Sequence, residues 1–212
     1  MISERREEKL RTVAANRQNF TVILENVHDP HNIGAVLRSC DAVGIYEVYI
    51  LYTDPRQRSI TLRDLQTTST GVKKWVDIHL FNDAESCFTA VRKKYKKIYA
   101  THLNADAKSI YKTDLTENVA LMFGNEHAGL TEEALAHADG NILIPQVGMA
   151  QSLNISVACA VSLYETLRQR KEADFYSDEI SEDNALNNEI YQSYLDKHNE
   201  AYLRGRLKQE KK

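Results

Sequence analysis

Short apolar runs alternate along this chain with segments of helical period, and few folds accept that pattern. "FTVILENV" (20–27), "YEVYILY" (46–52), "WVDIHLF" (75–81), "KIYATHL" (97–103), "VALMF" (119–123) and "NILI" (141–144) have strand length and strand composition. Between them, "HNIGAVLRSCDAVGI" carries apolar residues at Ile33, Val36, Leu37 and Cys40, a helical spacing ended by Gly44. "DAESCFTAVRKKY" and "TEEALAHA" read as further helices, the second with Thr131 as N-cap and Glu132 and Glu133 in its first turn. A long apolar helix starts near Ser152. Strands that alternate with helices predict an α/β fold, with a mostly parallel sheet flanked by helices on both faces.

The 212 residues, 42% of them hydrophobic, suffice for one sizeable domain. The pattern divides the chain into a charged N-terminal basic helix (1–18), the α/β domain (19–171) and a polar, helical C-terminal extension (172–212). From Glu172 to Glu189 there are seven acids and no Lys or Arg, and a last helix is expected from about Glu182 to Arg206. The formal net charge is -3, so a nucleic-acid partner would have to be met by local basic clusters. Three exist: Arg5, Arg6, Lys9, Arg11 and Arg17; Arg92, Lys93, Lys94, Lys96 and Lys97; and Arg204, Arg206, Lys208, Lys211 and Lys212. Any one of them alone is more simply a solvated face.

Cys40, Cys87 and Cys159 are odd in number and widely spaced, which fits a reducing compartment and offers no CxxC metal site. No apolar run reaches membrane-spanning length, and "MISERREEKL" lacks the apolar core of a signal peptide. The expected location is cytoplasmic, with no membrane partner.

Several chemistries lack their motifs. There is no GxGxxG after the first strand, no GxxxxGK[ST] and no GxSxG. His28, Asp29 and His31 sit on a Pro-containing turn without a third ligand in view, and a turn-and-cap role fits better than a metal site. No metal is expected. Three loops remain, each just after a strand, where ligands collect in α/β sheets. "NVHDPHNIGAVLR" places Asn32 and Arg38 six residues apart on the opening helix. "LMFGNEHAGLTEEAL" flanks Glu126 with Gly124 and Gly129. "IPQVGMAQSLNIS" crowds Ser152 and Asn154 where the long helix begins, with Ser152 as the plain choice of cap and Asn154 free to bond a neighbouring loop.

Together the three loops are informative. N-I-G-A-V-x-R, F-G-N-E-H-A-G-L and I-P-x-x-G-x-x-x-S-L-N-I-S-V-A resemble, in order and spacing, the three motifs of the SPOUT RNA methyltransferases, TrmH family, from about Phe20 to Arg170. Within that family the chain looks most like the members that methylate the D-loop guanosine of tRNA. The resemblance implies S-adenosyl-L-methionine as cofactor, a C-terminal trefoil knot that no periodicity could reveal, and a homodimer. It implies that Arg38 is the catalytic arginine, surrounded by Asn32, Glu126, Ser152 and Asn154. Thr101, Leu103, Gly124, Asn125, Ile144, Met149, Ser152 and Leu153 are the implied cofactor-binding residues, with Gly124 and Gly148 letting the ligand approach the backbone.

Such a reaction needs the ribose 2'-oxygen in line with the sulfonium methyl and somewhere for its proton to go. A guanidinium normally stays protonated. Arg38 is therefore either a base activated by its neighbours or a phosphate-binding group that positions the ribose. The implied partner is RNA, tRNA first, and not DNA, which lacks the 2'-hydroxyl. The rivals are a methyltransferase of the same family that acts on ribosomal RNA, for which the stretch before the first strand is short, or on another tRNA position, and an RNA-binding dimer that has lost catalysis. An unrelated hydrolase using His102 or His127 with Ser152 has no nucleophile-elbow spacing behind it.

Overall fold

The computed structural model describes residues 2–54, 61, 71–104, 106–149, 152–177, 179–181 and 184–209, with backbone alone at 73 and 204–209. The chain runs α1 (Glu4–Ala15), β1 (Thr21–Glu25), α2 (Pro30–Ala42), β2 (Glu47–Leu51), β3 (Asp77–Phe81), α3 (Ala84–Arg92) and β4 (Lys97–Thr101). It continues with β5 (Lys108–Ser109), β6 (Val119–Phe123), α4 (Glu132–Leu135), β7 (Gly140–Leu143), α5 (Ile155–Glu172) and α6 (Ala185–Gln209). Every residue of β1, β2 and β6 is buried, as expected of parallel strands covered on both faces.

Among the described residues seven strands form one sheet in the order β3-β2-β1-β6-β4-β7-β5, and every pairing is parallel. The period of two sorts the side chains between two cores. Val22 and Leu24 of β1, Val48 and Ile50 of β2 and Leu121 and Phe123 of β6 pack with Ile33, Val36, Leu37 and Cys40 of α2 and Cys159 and Leu163 of α5. Ile23, Tyr49, Leu51 and Met122 point the other way, onto Cys87, Phe88 and Val91 of α3 and Ala134 of α4. The α/β sheet with helices on both faces is therefore as expected. The two-residue β5 is an addition.

Residues 19–173 form one compact unit, and residues 1–18 with 174–212 form a second. The N-terminal helix and the C-terminal extension, separate pieces in the sequence reading, thus pack together. In this second unit Leu10, Ala14 and Ala15 of α1 and Ile190, Tyr191 and Tyr194 of α6 are buried. Asn187 Nδ2 donates to the Ala15 carbonyl at the end of α1 (2.7 Å), and Arg11 lies 4.7 Å from the Tyr191 ring centre. Among the described residues no helix is long and apolar enough to cross a membrane.

Candidate functional site

β1, β6, β4 and β7 are consecutive neighbours in the sheet and parallel, so the loops that follow them leave from one end. In open α/β sheets that end is where ligands bind. After β1, Asp29 caps α2 by accepting from the His31 N–H (2.8 Å), and Pro30 fills the first helical position, where its missing N–H costs nothing. Asn32 therefore sits in the first turn of α2. After β6, Asn125 and Gly129 exchange two backbone hydrogen bonds (3.0 and 2.9 Å) and close a tight loop around Glu126.

Three side chains meet there, from the first turn of α2, the loop after β6 and the cap of α5. Asn32 Nδ2 donates to Glu126 Oε1 at 2.7 Å, and Asn154 Nδ2 donates to Asn32 Oδ1 at 3.2 Å. Asn154 Oδ1 accepts from the Ser156 N–H (2.9 Å) and hydroxyl (2.6 Å), capping α5. Both contacts between the loops are exposed, so this chain of amides and carboxylate is open to a substrate.

Two expectations change. The helix begins at Ile155 with Asn154 as its cap, not at Ser152, which stands exposed two residues earlier. Ser and Asn are both favoured caps, and composition alone could not choose between them. Asn154 also makes the loop contact, so one residue does both jobs that were divided between two. The second change concerns Gly124. A Cβ there would stand 2.3 Å from the Gly129 carbonyl carbon, so the glycine lets its own loop close, whatever else approaches it.

Arg38 is exposed on α2, and none of the ion pairs among the described residues involves it. Six residues of helix separate it from Asn32 by about 9 Å along the axis, so it does not join the amide cluster directly. No ion pair or side-chain hydrogen bond among the described residues engages its guanidinium.

The remaining residues expected to bind the cofactor close or follow β4, β6 and β7. Thr101 closes β4 and donates to the Met122 carbonyl (2.9 Å). Asn125 spends its side chain inward, donating to the Asn26 carbonyl (2.9 Å) and accepting from the His127 and Ala128 N–H groups. Ile144 is half-buried against the core, whereas Leu103, Met149 and Leu153 are 74%, 99% and 37% exposed. Apolar side chains left uncovered beside backbone loops fit a ligand that is part apolar and part polar.

Other groups are committed elsewhere. Burial and the adjacent Cys159 push the Cys40 thiol well up, and burial pushes Cys87 up to about 12, so neither is an activated nucleophile. Among the described residues no group of His, Cys, Asp and Glu is placed to hold a metal. In the second basic cluster, Arg92 binds Asp139 (2.6 Å) and the His137 carbonyl (2.7 Å), while Lys94 binds Glu47 (2.7 Å). Arg5, Arg6 and Lys9 line an open groove along α1. The third cluster lies outside the described side chains.

Sequence reasoning missed Glu25 and Asn26. Glu25 is a fully buried carboxylate at the end of β1, and Asn26 has a left-handed backbone with φ 53. An acid ending the otherwise apolar "FTVIL" run was the available signal.

A parallel sheet that gathers amide, carboxylate and uncovered apolar side chains at one end defines a binding or transfer site of the doubly wound α/β class. Within that class the assignment is specific. Residues 19–164 match the model of the SpoU rRNA methylase family, and the chain belongs to that family. The chain is 42% identical over 194 residues, 91% of its length and 95% of the relative's, to a tRNA (guanosine(18)-2'-O)-methyltransferase of Thermus thermophilus. Among solved structures it is similar to the A. aeolicus TrmH/SpoU tRNA modifying enzyme, with a TM-score of 0.76 and 33% identity over 90% of this chain and 95% of that one. It is also similar to the SpoU methyltransferase AviRb from Streptomyces viridochromogenes, solved with the cofactor AdoMet. There the TM-score is 0.65 and the identity 26%, over 74% of this chain and 62% of that one.

Proposed function

We propose that this protein methylates a ribose 2'-hydroxyl in RNA from S-adenosyl-L-methionine, and that its substrate is the D-loop guanosine of tRNA. The end-to-end likeness to the Thermus tRNA methyltransferase carries this reading. Asn32, Glu126 and Asn154, brought together from three distant parts of the sequence, give it a chemical basis.

Bound at the ends of β4, β6 and β7, S-adenosyl-L-methionine supplies an electrophilic methyl group. The loops of Thr101, Leu103, Gly124, Asn125, Ile144, Met149, Ser152 and Leu153 hold it, the exposed Leu103, Met149 and Leu153 offering apolar cover. Arg38 binds a substrate phosphate and orients the ribose, since a guanidinium does this without losing its proton, and water or that phosphate takes the proton of the 2'-hydroxyl as its oxygen is methylated. Asn154 holds Asn32, and Asn32 donates to Glu126 Oε1, which leaves Glu126 Oε2 free to accept a hydrogen bond from the ribose. Ser152 and Asn154 close the site from the α5 side.

The rest of the reading follows the family. The C-terminal segment is threaded as a trefoil knot, and two copies form a homodimer. Val157 and Tyr164, seven residues apart and exposed on α5, belong to the face that a second copy would cover. Arg5 and Lys9 of α1 contact RNA backbone, and the protein works in the cytoplasm, where tRNA is found.

The test is incubation with methyl-labelled S-adenosyl-L-methionine and separated tRNA and rRNA pools, followed by mapping of the labelled nucleotide. Label on the 2'-oxygen of one tRNA guanosine is the expected result. Label confined to rRNA would transfer the assignment to the ribosomal branch, and absence of label from both pools would remove the enzymatic reading.

A further inference from the structure

Glu25 ends β1 with a carboxylate that the apolar run before it does not explain. It is fully buried, yet none of the ion pairs among the described residues involves it. Its oxygens accept from the Thr53 hydroxyl (3.1 Å), the Thr131 backbone N–H (2.9 Å) and the Thr131 hydroxyl. The two threonines belong to different loops. Thr53 follows β2, and Thr131 ends the loop that begins at Gly124 and caps α4, accepting from the Ala134 N–H (3.2 Å).

Asn26 extends the same hub. Its left-handed backbone turns the chain out of the sheet, a conformation Asn tolerates better than most residues. Its Oδ1 accepts from the Thr53 N–H (3.0 Å), its Nδ2 donates to the Thr53 hydroxyl (2.8 Å), and its carbonyl accepts from Asn125 Nδ2 (2.9 Å). Asn125 in turn holds the His127 and Ala128 N–H groups. Glu25 and Asn26 thus tie together the roots of the two loops that meet again at Asn32 and Glu126, 2.7 Å apart. The contact at the tips is exposed, and exposed polar contacts are weak. The hub, in which Glu25 and Asn26 are buried and their partners half-buried, is the stiffer of the two.

We propose that Glu25 is a positioning residue. It fixes the register of the β1–α2 loop against the Gly124–Thr131 loop and so sets the Asn32–Glu126 contact used in methyl transfer. The inference rests on the methyltransferase reading. A purely packing role would instead affect stability and leave the rate of the folded enzyme unchanged.

Glu25→Gln keeps the shape but puts an amide N–H₂ where three donors converge. Single-turnover methylation of tRNA at saturating cofactor is expected to fall at least about tenfold, since small misplacements at a reaction centre are costly. In a Glu126→Ala background the same substitution is expected to cost less than about twofold, because the contact it acts through is gone. Equal losses in the two backgrounds, no loss in either, or a Glu126→Ala enzyme as fast as the wild type would each overturn the proposal. If Glu25→Gln does not fold, Thr53→Val removes at constant volume the hydroxyl that donates to Glu25 and accepts from Asn26, and carries the same comparison, with an expected loss of about threefold.

Should the wild-type protein methylate no RNA, the functional reading fails separately. Hydrogen exchange then decides the inference. Amides of residues 126–131 are expected to exchange at least about tenfold faster in Glu25→Gln, while those of α5 keep their protection. Unchanged exchange in 126–131 would overturn it.

Discussion

Gly124 has no room for a side chain. Its Cβ would also stand 2.4 Å from the Gly129 carbonyl oxygen and from the Leu130 nitrogen, and backbone atoms cannot rotate aside as the end of a long side chain can. Gly124→Ala should therefore force the Glu126 loop open and destabilise the protein by about 1–3 kcal/mol, with methyl transfer falling more steeply than stability. Gly148→Ala is the matched control, since a Cβ there meets nothing within 4 Å, and its effect should stay within about 0.5 kcal/mol. Thermal unfolding of both proteins checks the contrast, and equal melting temperatures would refute the packing account of Gly124. At this scale the sequence was informative about residue types and silent about partners. Asn32, Glu126 and Asn154 stood out as polar residues at strand ends, but their hydrogen bonds span 94 and 122 positions. Glu25 was hidden because only its burial and its two threonines, 28 and 106 positions away, give the carboxylate a meaning.

Among the elements, β1, β2, β4, β6, α2 and α5 were legible because each buries a run of apolar residues with its own period. The two-residue β5 is too short to leave a pattern, and the position of β4 between β6 and β7 is a tertiary outcome that no local signal records. The start of β2 shows how separate elements are joined. Glu47 is buried, and its carboxylate accepts from His79 Nε2 of β3 (3.1 Å), from Lys94 Nζ after α3 (2.7 Å) and from the Tyr95 hydroxyl (2.7 Å). Burial alone would raise this carboxyl, but the hydrogen bonds from His79, Lys94 and Tyr95 reverse that and hold it at about 2, against 4.5 for a free glutamate. A depressed carboxyl stabilises the fold above its unfolded value and stops doing so as pH falls through the folded one. The contribution, on the order of 3 kcal/mol, should be complete above pH 4.5 and disappear towards pH 2. Urea unfolding of the wild type and Glu47→Gln should differ most near neutral pH and converge in acid. Stability curves that stay parallel below pH 4.5 would rule the linkage out. A second clamp lies at the same edge of the sheet, just before β1 and β6: buried Arg170 at the end of α5 donates to the carbonyls of Leu115 and Glu117 and lies 4.8 Å from the Phe20 ring centre. Buried cations satisfied by carbonyls are rare enough that composition gives no hint of them.

For the molecule as a whole, a net charge of -3 gives RNA no general attraction, so binding must come from where the basic residues stand. The three clusters read from sequence are not equivalent in the structure. Arg92 and Lys94 hold the α/β unit together through Asp139 and Glu47, so substituting them would confound affinity with folding. Arg5 and Lys9 are exposed on α1, whose packing against α6 uses the buried Leu10, Ala14 and Ala15. Removing these two charges should leave that packing, and the Asn32–Glu126–Asn154 cluster in the other unit, unchanged. If Arg5 and Lys9 contact RNA phosphates, each releases counterions worth about 0.7–0.9 in the slope of log affinity against log salt. The double variant Arg5→Ala/Lys9→Ala should therefore bind tRNA more weakly at low salt, with a slope shallower by about 1.5, and should bind S-adenosyl-L-methionine as the wild type does. Because phosphate contacts position without reading sequence, the loss should be similar for every tRNA tested, and the methylated nucleotide should not change. Filter binding between about 50 and 200 mM salt, with calorimetry for the cofactor, separates the outcomes. An unchanged slope would mean that Arg5 and Lys9 do not touch RNA phosphates and that the contacts lie with other basic residues. A loss of cofactor affinity would mean that α1 supports the fold of the site and does not act as a clamp for the substrate.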